Sequence, residues 1–138
     1  MRFALVALAG LICSGAAHAT SNWFTVSGHP DRADVDTVQV DPVSIDRDAG
    51  SRTMNIRVNR AQLRRNWDGI PYRSYSAQVR ILCGEGRAEY LNIRLHIQPL
   101  WVGAYQDAAY ADKRPPMVFR DARPNPTERI LRAACSGP

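Results

Sequence analysis

Apolar and polar residues alternate most clearly between Pro71 and Cys83. A period of two residues indicates a β-strand with one buried face, because successive side chains of a strand point to opposite sides. We therefore predict a long central strand here, which the turn-like Gly84-Glu85-Gly86 ends. The predicted inward positions are Tyr75, Ala77, Val79, Ile81 and Cys83, and the outward positions are Ser76, Gln78, Arg80 and Leu82.

Shorter stretches of the same pattern predict strands over residues 22–26, 36–40 and 54–59. Pro42 ends the second of them, because proline has no amide hydrogen for a ladder. Residues 61–71 then form a longer connection to the central strand. The inward positions of the third strand are Met54, Ile56 and Val58.

A further strand is predicted over residues 89–97, with Leu91, Ile93, Leu95 and Ile97 inward. It follows the central strand across a short Gly-rich connection, so the two are expected to form a hairpin. The pattern then weakens, and we expect one strand over residues 101–105 and a final short one over residues 117–119.

The C-terminal segment has the signals of a helix. Asn125 is the expected N-cap, Pro126 takes the first helical position, and Glu128 completes a capping box. Ile130, Leu131, Ala134 and Cys135 then line one helical face. The sequence thus predicts an α+β fold, an antiparallel sheet of about six strands with a C-terminal helix packed on one face.

Residues 1–19 are predicted to be a signal peptide, followed by a single domain over residues 20–138. Arg2 supplies a positive start, an apolar run reaches Cys13, and Ala17-His18-Ala19 forms a cleavage site. Ile12 precedes Cys13 where a lipoprotein signal needs a small residue, so we expect no lipid anchor. The apolar run is too short to span a membrane, so it is not expected to act as an anchor. Export by the signal peptide predicts a protein of the periplasm, the medium or the cell surface.

Loss of the leader leaves two cysteines, Cys83 and Cys135. A pair in an exported chain favours a disulfide over a metal or catalytic site. Both residues lie on predicted inward faces, so the bond is expected to tie the helix to the sheet. Closing this loop of roughly 50 residues would stabilise the fold by about 4 kcal/mol.

The chain is basic, with a formal net charge of +5, and Lys113 is its only lysine. Arg57, Arg73, Arg80 and Arg94 are predicted to point outward from neighbouring strands, which would form a basic field on the face away from the helix. Such a field could bind acidic protein segments, polyanionic glycans or an anionic membrane surface. The alternative is an arginine-rich surface that only water contacts. The candidate ligand-binding residues are Arg57, Arg64, Arg65, Trp67, Tyr72, Arg80 and Arg94.

The sequence offers little for catalysis, cofactors or nucleic acid. Asp46-x-Asp48-x-Gly50 is a fragment of a calcium loop without its later glutamate, which favours solvated turns. His29 and His96 have no predicted partner for acid–base chemistry. No nucleophile elbow, zinc helix or phosphate loop is present in the sequence. We therefore expect no enzyme, no metal site and no nucleic-acid partner.

The order of several short segments resembles the surface-adhesin protein E family. They are Trp23, Val40 to Ile45, Met54 to Asn59, Tyr72-Arg73-Ser74 leading to Cys83, and Pro126-Thr127-Glu128 leading to Cys135. The resemblance implies a roughly six-stranded sheet with a disulfide-held helix, binding to host extracellular-matrix and plasma proteins, and dimerisation.

The chain departs from the family's founding member, which is lipid-anchored at the cell surface. Phe119 also stands where the family usually has a tryptophan. Without an anchor, the alternative function is a periplasmic envelope accessory or structural protein that forms a homodimer through the same face.

Overall fold

The computed structural model describes residues 22–48 and 50–136, so the predicted signal peptide lies outside the described residues. Within these residues, six strands form one antiparallel sheet and one α-helix follows them. The elements are β1 (Phe24–Ser27), β2 (Thr37–Asp48), β3 (Ser51–Arg65), β4 (Pro71–Leu82), β5 (Arg87–His96), β6 (Tyr105–Ala109) and α1 (Thr127–Cys135), with a 3₁₀ turn at Cys83–Glu85. The predicted α+β class is confirmed.

The sheet is a meander in which each strand pairs with its neighbours in the sequence. The predicted central strand, β4, lies between β3 and β5. Val79 lies opposite Met54 of β3, and Tyr75 lies between Val58 of β3 and Leu95 of β5. These side chains are buried, because the apolar positions of neighbouring strands point to the same side. We call this side the covered face and the other side the open face.

Two strands are longer than predicted. β2 continues through Pro42, and its pairing with β3 is irregular between Asp41 and Asp46. An irregular stretch tolerates proline because no regular ladder bond is required there. β3 reaches Arg65 across a register shift, so the predicted connection shortens to a turn at residues 66–70.

β5 contains one residue more than the stretch of β4 that it faces. Asn92 and Tyr90 pair with consecutive residues of β4, which leaves Leu91 as the inserted residue. Such a bulge exchanges the two faces of a strand, so Tyr90 is buried and the predicted inward position of Leu91 is wrong. Ile97, also predicted inward, follows the strand and is 44% exposed.

The strand predicted over residues 101–105 is displaced to Tyr105–Ala109. Leu100 and Trp101 have φ values of 57° and 60°, a left-handed conformation that extended chain does not adopt. Trp101 therefore belongs to the loop between β5 and β6. The short strand predicted over residues 117–119 is reduced to an isolated bridge at Pro116.

The covered face is closed by α1 and by the segment before it. Met117 and Phe119 of that segment are buried, as are Ile130 and Ala134 of the helix. The helix starts one residue later than predicted, with Pro126 rather than Asn125 at the N-cap and no side-chain cap there. Asn125 still accepts a 2.9 Å hydrogen bond from the backbone N–H of Thr127 through its Oδ1.

The predicted disulfide between Cys83 and Cys135 is present, with an S–S distance of 2.07 Å. It joins the last residue of α1 to the 3₁₀ turn that directly follows β4. The helix is therefore tied to the centre of the sheet. In the described part of the chain, no helix has the length and apolar character needed to cross a membrane.

Candidate ligand-binding face

Polar side chains form rows across the open face. Such rows arise because residues directly opposite each other on antiparallel strands point to the same side. They offer amides, hydroxyls and charges in a regular array. One row consists of Asp41, Asn55, Gln78 and Asn92 on β2 to β5, and the next consists of Gln39, Arg57, Ser76, Arg94 and Asp107 on β2 to β6.

Arg57 lies in the second row, between two tryptophan rings. Its guanidinium carbon is 4.0 Å from the ring centre of Trp101 and 4.5 Å from that of Trp23. Its Nε also donates to Oε1 of Gln39 at 2.6 Å. Burial lowers the pKa of Arg57, but arginine stays protonated in proteins. The side chain thus brings a positive charge to the open face. It also links Trp23, just before β1, to the loop between β5 and β6.

Trp101 is anchored to the sheet backbone. Its indole Nε1 donates to the carbonyl oxygens of Val58, at 3.2 Å, and of Tyr75, at 3.0 Å. Its own backbone N–H donates to Oγ of Ser74 at 2.9 Å. The loop that carries Trp101 therefore covers one end of the open face and fixes one side of the Arg57 stack.

The loop between β1 and β2 covers part of the same end. The Nδ2 of buried Asn59 donates to the carbonyl oxygen of Val35 at 2.9 Å. Arg73 donates to the carbonyl oxygens of Ala33, at 2.9 Å, and Arg60, at 3.0 Å. Arg73, predicted to point outward into the basic field, instead holds this loop.

Arg94 is paired with an acid on the neighbouring strand. Its guanidinium bonds both carboxylate oxygens of Asp107, at 2.8 and 2.9 Å, and lies 3.9 Å from the ring centre of Tyr105. These hydrogen bonds lower the pKa of Asp107 and raise that of Arg94. The pair leaves little net charge at this edge of the face.

Arg80 lies on the same face, opposite Thr53 of β3 and Glu89 of β5. It is half-buried, and neither a hydrogen bond nor an ion pair joins its side chain to any described residue. Among the described residues, Arg80 is therefore the one of the three open-face candidates whose guanidinium has no protein acceptor.

A groove of about 580 Å³ runs along the open face. Its volume falls in the range of ligand-binding clefts, about 300–1,000 Å³. The side-chain amides in its lining both donate and accept hydrogen bonds, and the ring of Trp23 adds a flat apolar wall. The groove can thus hold a polar ligand segment with one apolar face. Its lining includes Trp23, Asn55, Gln78, Asn92, Arg94 and Asp107.

The other candidate residues lie elsewhere, around the β3–β4 turn. Arg64 pairs with Asp121 at 3.4 Å, and Arg65 donates to a carbonyl oxygen of the turn at 2.8 Å. Trp67 and buried Tyr72 line a separate cavity on the covered face. The structure therefore brings Arg57, Arg80 and Arg94 onto one face and does not bring the remaining candidates to it.

Sequence reasoning did not single out the tryptophan stack or the amide row. Alternation placed Asn55, Gln78 and Asn92 outward, which is the signal that could have identified the row. In the sequence, Trp23 stands out only as one of the segments that carry the family resemblance. The enclosure of Arg57 depends on contacts between segments far apart in the sequence, and no local pattern encodes it.

Comparison with known proteins gives a family. The family model of surface-adhesin protein E matches residues 23–136, which span every strand, the helix and both bonded cysteines. No curated protein and no solved structure matches the chain. The resemblance drawn from the sequence is thus confirmed, and the chain belongs to the surface-adhesin protein E family.

Proposed function

We propose that this adhesin-family protein is an exported, non-enzymatic binding protein whose open face attaches to an acidic segment of an extracellular protein. The observation that carries the proposal is the groove beside the Trp23–Arg57–Trp101 stack. A fixed groove loses little conformational freedom on binding, which favours affinity.

The chemistry of the groove suits a protein partner. Tryptophan and arginine are the side chains most enriched in the parts of interfaces that carry binding energy. Arg57 and Arg80 are cations without a carboxylate ion pair among the described residues, whereas Arg94 and Asp107 neutralise each other. Attraction between exposed charges is screened within about 8–10 Å at physiological salt, so binding should weaken as the salt concentration rises.

The test is attachment to immobilised extracellular-matrix protein, with heparin as a second surface. We expect Arg80→Glu/Arg94→Glu to lower affinity about tenfold, because Arg80 loses a favourable charge and Arg94→Glu leaves two carboxylates, the new one and Asp107, to repel an acidic ligand. Arg57 is left intact, since its reversal would break the tryptophan stack. The matched control is Arg123→Glu/Arg132→Glu, which makes the same charge change at exposed positions near and on the helix.

A second variant separates shape from charge. Asn92→Trp would fill the groove from an exposed position and should abolish attachment with no change of net charge. Circular dichroism checks the fold of each variant. Equal attachment by wild type and both open-face variants would overturn the proposal, and attachment to heparin alone would identify an acidic glycan as the ligand.

The second candidate is an envelope accessory protein that forms a homodimer. Val102 and Tyr105, beside the open face, are 57% and 55% exposed, and apolar surface of this kind often marks an interface. Protease digestion of intact cells separates the candidates, because attachment to an external partner requires surface exposure. Protection of the protein together with a dimer mass in solution would favour the accessory role.

A further inference from the structure

A cavity of about 270 Å³ lies on the covered face, beside the β3–β4 turn. We propose that this cavity binds a carboxylate group carried on an apolar or aromatic body. The site is on the side of the sheet opposite the groove, so it is independent of the function proposed above. Its walls include the rings of Trp67, Tyr72, Tyr75 and Tyr90.

The aromatic walls are fixed by contacts with one another. The ring centre of Trp67 lies 5.4 Å from that of Tyr90, and its Nε1 donates to the hydroxyl of Tyr110 at 3.0 Å. The hydroxyls of Tyr75 and Tyr90 are 2.7 Å apart, and the rings of Tyr72 and Tyr75 meet edge to face. An aromatic or branched apolar group entering between these rings would find a preformed apolar site.

Trp67 is carried by a rigid turn. The Oδ1 of Asn66 accepts the backbone N–H groups of Asp68, at 3.0 Å, and Ile70, at 2.8 Å. The backbone of Gly69 is bonded as well, because its N–H donates to the carbonyl oxygen of Asn66 and its own carbonyl accepts from Arg65. Trp67 is 50% exposed, so it forms the accessible edge of the cavity.

Two polar residues of the lining carry buried donors without an acceptor. Arg60 is only 6% exposed and pairs with Asp36 at 3.2 Å and with Asp121 at 3.3 Å. Its Nε, like the Nδ2 of Asn66, has no hydrogen-bond partner in the described part of the chain. Both donor atoms are closed off from solvent, and a buried donor left unpaired costs about 1–3 kcal/mol. A ligand acceptor reached by a small shift of either side chain would recover part of that cost.

The charged residues around the cavity favour an anionic ligand. The cations Arg60 and Arg64 are balanced by Asp36 and Asp121, which both of them contact. Arg120 also lines the cavity, is exposed, and forms no ion pair with any residue the structure describes. Among the described residues that line the cavity, one positive charge is therefore unmatched. The cavity is slightly smaller than most ligand clefts, so it fits one ring or side chain with its carboxylate but not an internal stretch of a polymer.

The test uses N-acetylphenylalanine as the probe and its amide as the uncharged match. In ¹H–¹⁵N NMR spectra the indole signal of Trp67 reports on the cavity, with the indoles of Trp23 and Trp101 as internal references on the open face. We expect the acid to shift the Trp67 signal at millimolar concentration and the amide to bind at least about fivefold more weakly. Acetate, which lacks the apolar body, should give no saturable shift.

Two variants with a control locate the binding. Arg120→Gln should weaken binding of the acid about two- to fivefold, the effect of one exposed charge, and leave binding of the amide unchanged. Arg132→Gln on the helix is the matched control and should change neither. Val118→Trp, from an exposed position in the lining, should fill the cavity and abolish the shift.

The source of the carboxylate is resolved with a pentapeptide ending in phenylalanine. Tighter binding of the peptide than of N-acetylphenylalanine, lost on amidation of its C-terminus, would identify a protein C-terminus. Equal binding of the two would identify a free aryl or alkyl acid. Equal shifts from acid and amide, no saturable shift, or retention of the shift in Val118→Trp would overturn the proposal and leave the donors to bound water.

Discussion

Arg57 has two roles on the open face. It brings a positive charge to the candidate ligand face, and it fills the space between Trp23 and Trp101. Each cation–π contact is worth about 0.5–2 kcal/mol, depending on how far water is excluded. The side chain therefore contributes to stability as well as to charge, which distinguishes it from Arg80 on the same face.

This difference predicts unequal effects of truncation. Arg57→Ala should lower the free energy of unfolding by about 1–3 kcal/mol, because both ring contacts and the bond to Gln39 are lost. Arg80 is also half-buried but has no partner among the described residues, so Arg80→Ala should change the free energy of unfolding by less than about 0.5 kcal/mol. Urea denaturation followed by circular dichroism measures both. Equal losses would contradict the role given to the stack.

The buried tyrosine pair predicts a loss of stability at alkaline pH. Burial raises the pKa of Tyr75 and of Tyr90, so both stay protonated in the folded state when unfolded tyrosines ionise near pH 10. Above that pH the unfolded state binds fewer protons than the folded state, and stability falls by up to about 1.4 kcal/mol per pH unit for each tyrosine. Well below that pH both states hold the two phenolic protons, so the pair contributes no pH dependence to stability.

The comparison is between urea midpoints at pH 8 and pH 10.5. The double variant Tyr75→Phe/Tyr90→Phe should show a smaller decrease than the wild type. Tyr105→Phe, at an exposed position, serves as the control and should match the wild type. An unchanged decrease in the double variant would show that other groups cause it.

Among the secondary-structure elements, α1 depends most on a single bond. Cys135→Ala should lower the free energy of unfolding by roughly 2–5 kcal/mol, because the unfolded chain loses the closure between Cys83 and Cys135. Reduction of the wild type should give a loss of the same size, measured in urea. Wild-type stability in the variant would mean that packing of Ile130 and Ala134 alone holds the helix.

The elements that sequence predicted are those with a local cause. Alternation identified β4, and the helix-start signals at residues 125–128 with the apolar stripe that follows them identified α1, within one residue of its observed start. The bulge at Leu91 could not be foreseen, because an inserted residue is visible only in the pairing with β4. The left-handed turn at Trp101 depends in the same way on bonds to distant backbone.

The candidate site was likewise predictable only where a local pattern determined it. The alternation of inward and outward positions was enough to place Arg57, Arg80 and Arg94 on one face. It did not extend to Trp67 and Tyr72, which lie in or beside the predicted connection and which the register shift in β3 and the turn at residues 66–70 place against the covered face. Which arginines are paired depends on acids such as Asp107 and Asp121, and side-chain pairing of this kind follows from the tertiary fold.

For the molecule as a whole, family membership implies an exported or cell-surface protein. We predict that the mature chain begins at Thr20 and carries no lipid, because Ala17-His18-Ala19 supplies a cleavage site and Ile12 precedes Cys13. N-terminal sequencing and the intact mass of protein from the expressing cell check this. An acylated Cys13 would contradict it and would anchor the protein at a membrane surface.

The meander has a consequence for how the protein folds. Because every strand pairs with its sequence neighbour, contacts across the sheet close short loops, and short loops cost little chain entropy. Hairpins β3–β4 and β4–β5 can thus form early, with β4 as their common strand. The helix is distant in sequence from the strand it is bonded to, with a sequence separation of 52 residues between Cys83 and Cys135. We therefore expect the helix to dock, and the disulfide to form, late in folding. During export, the sheet would be assembled as a scaffold before the bond that locks it is made.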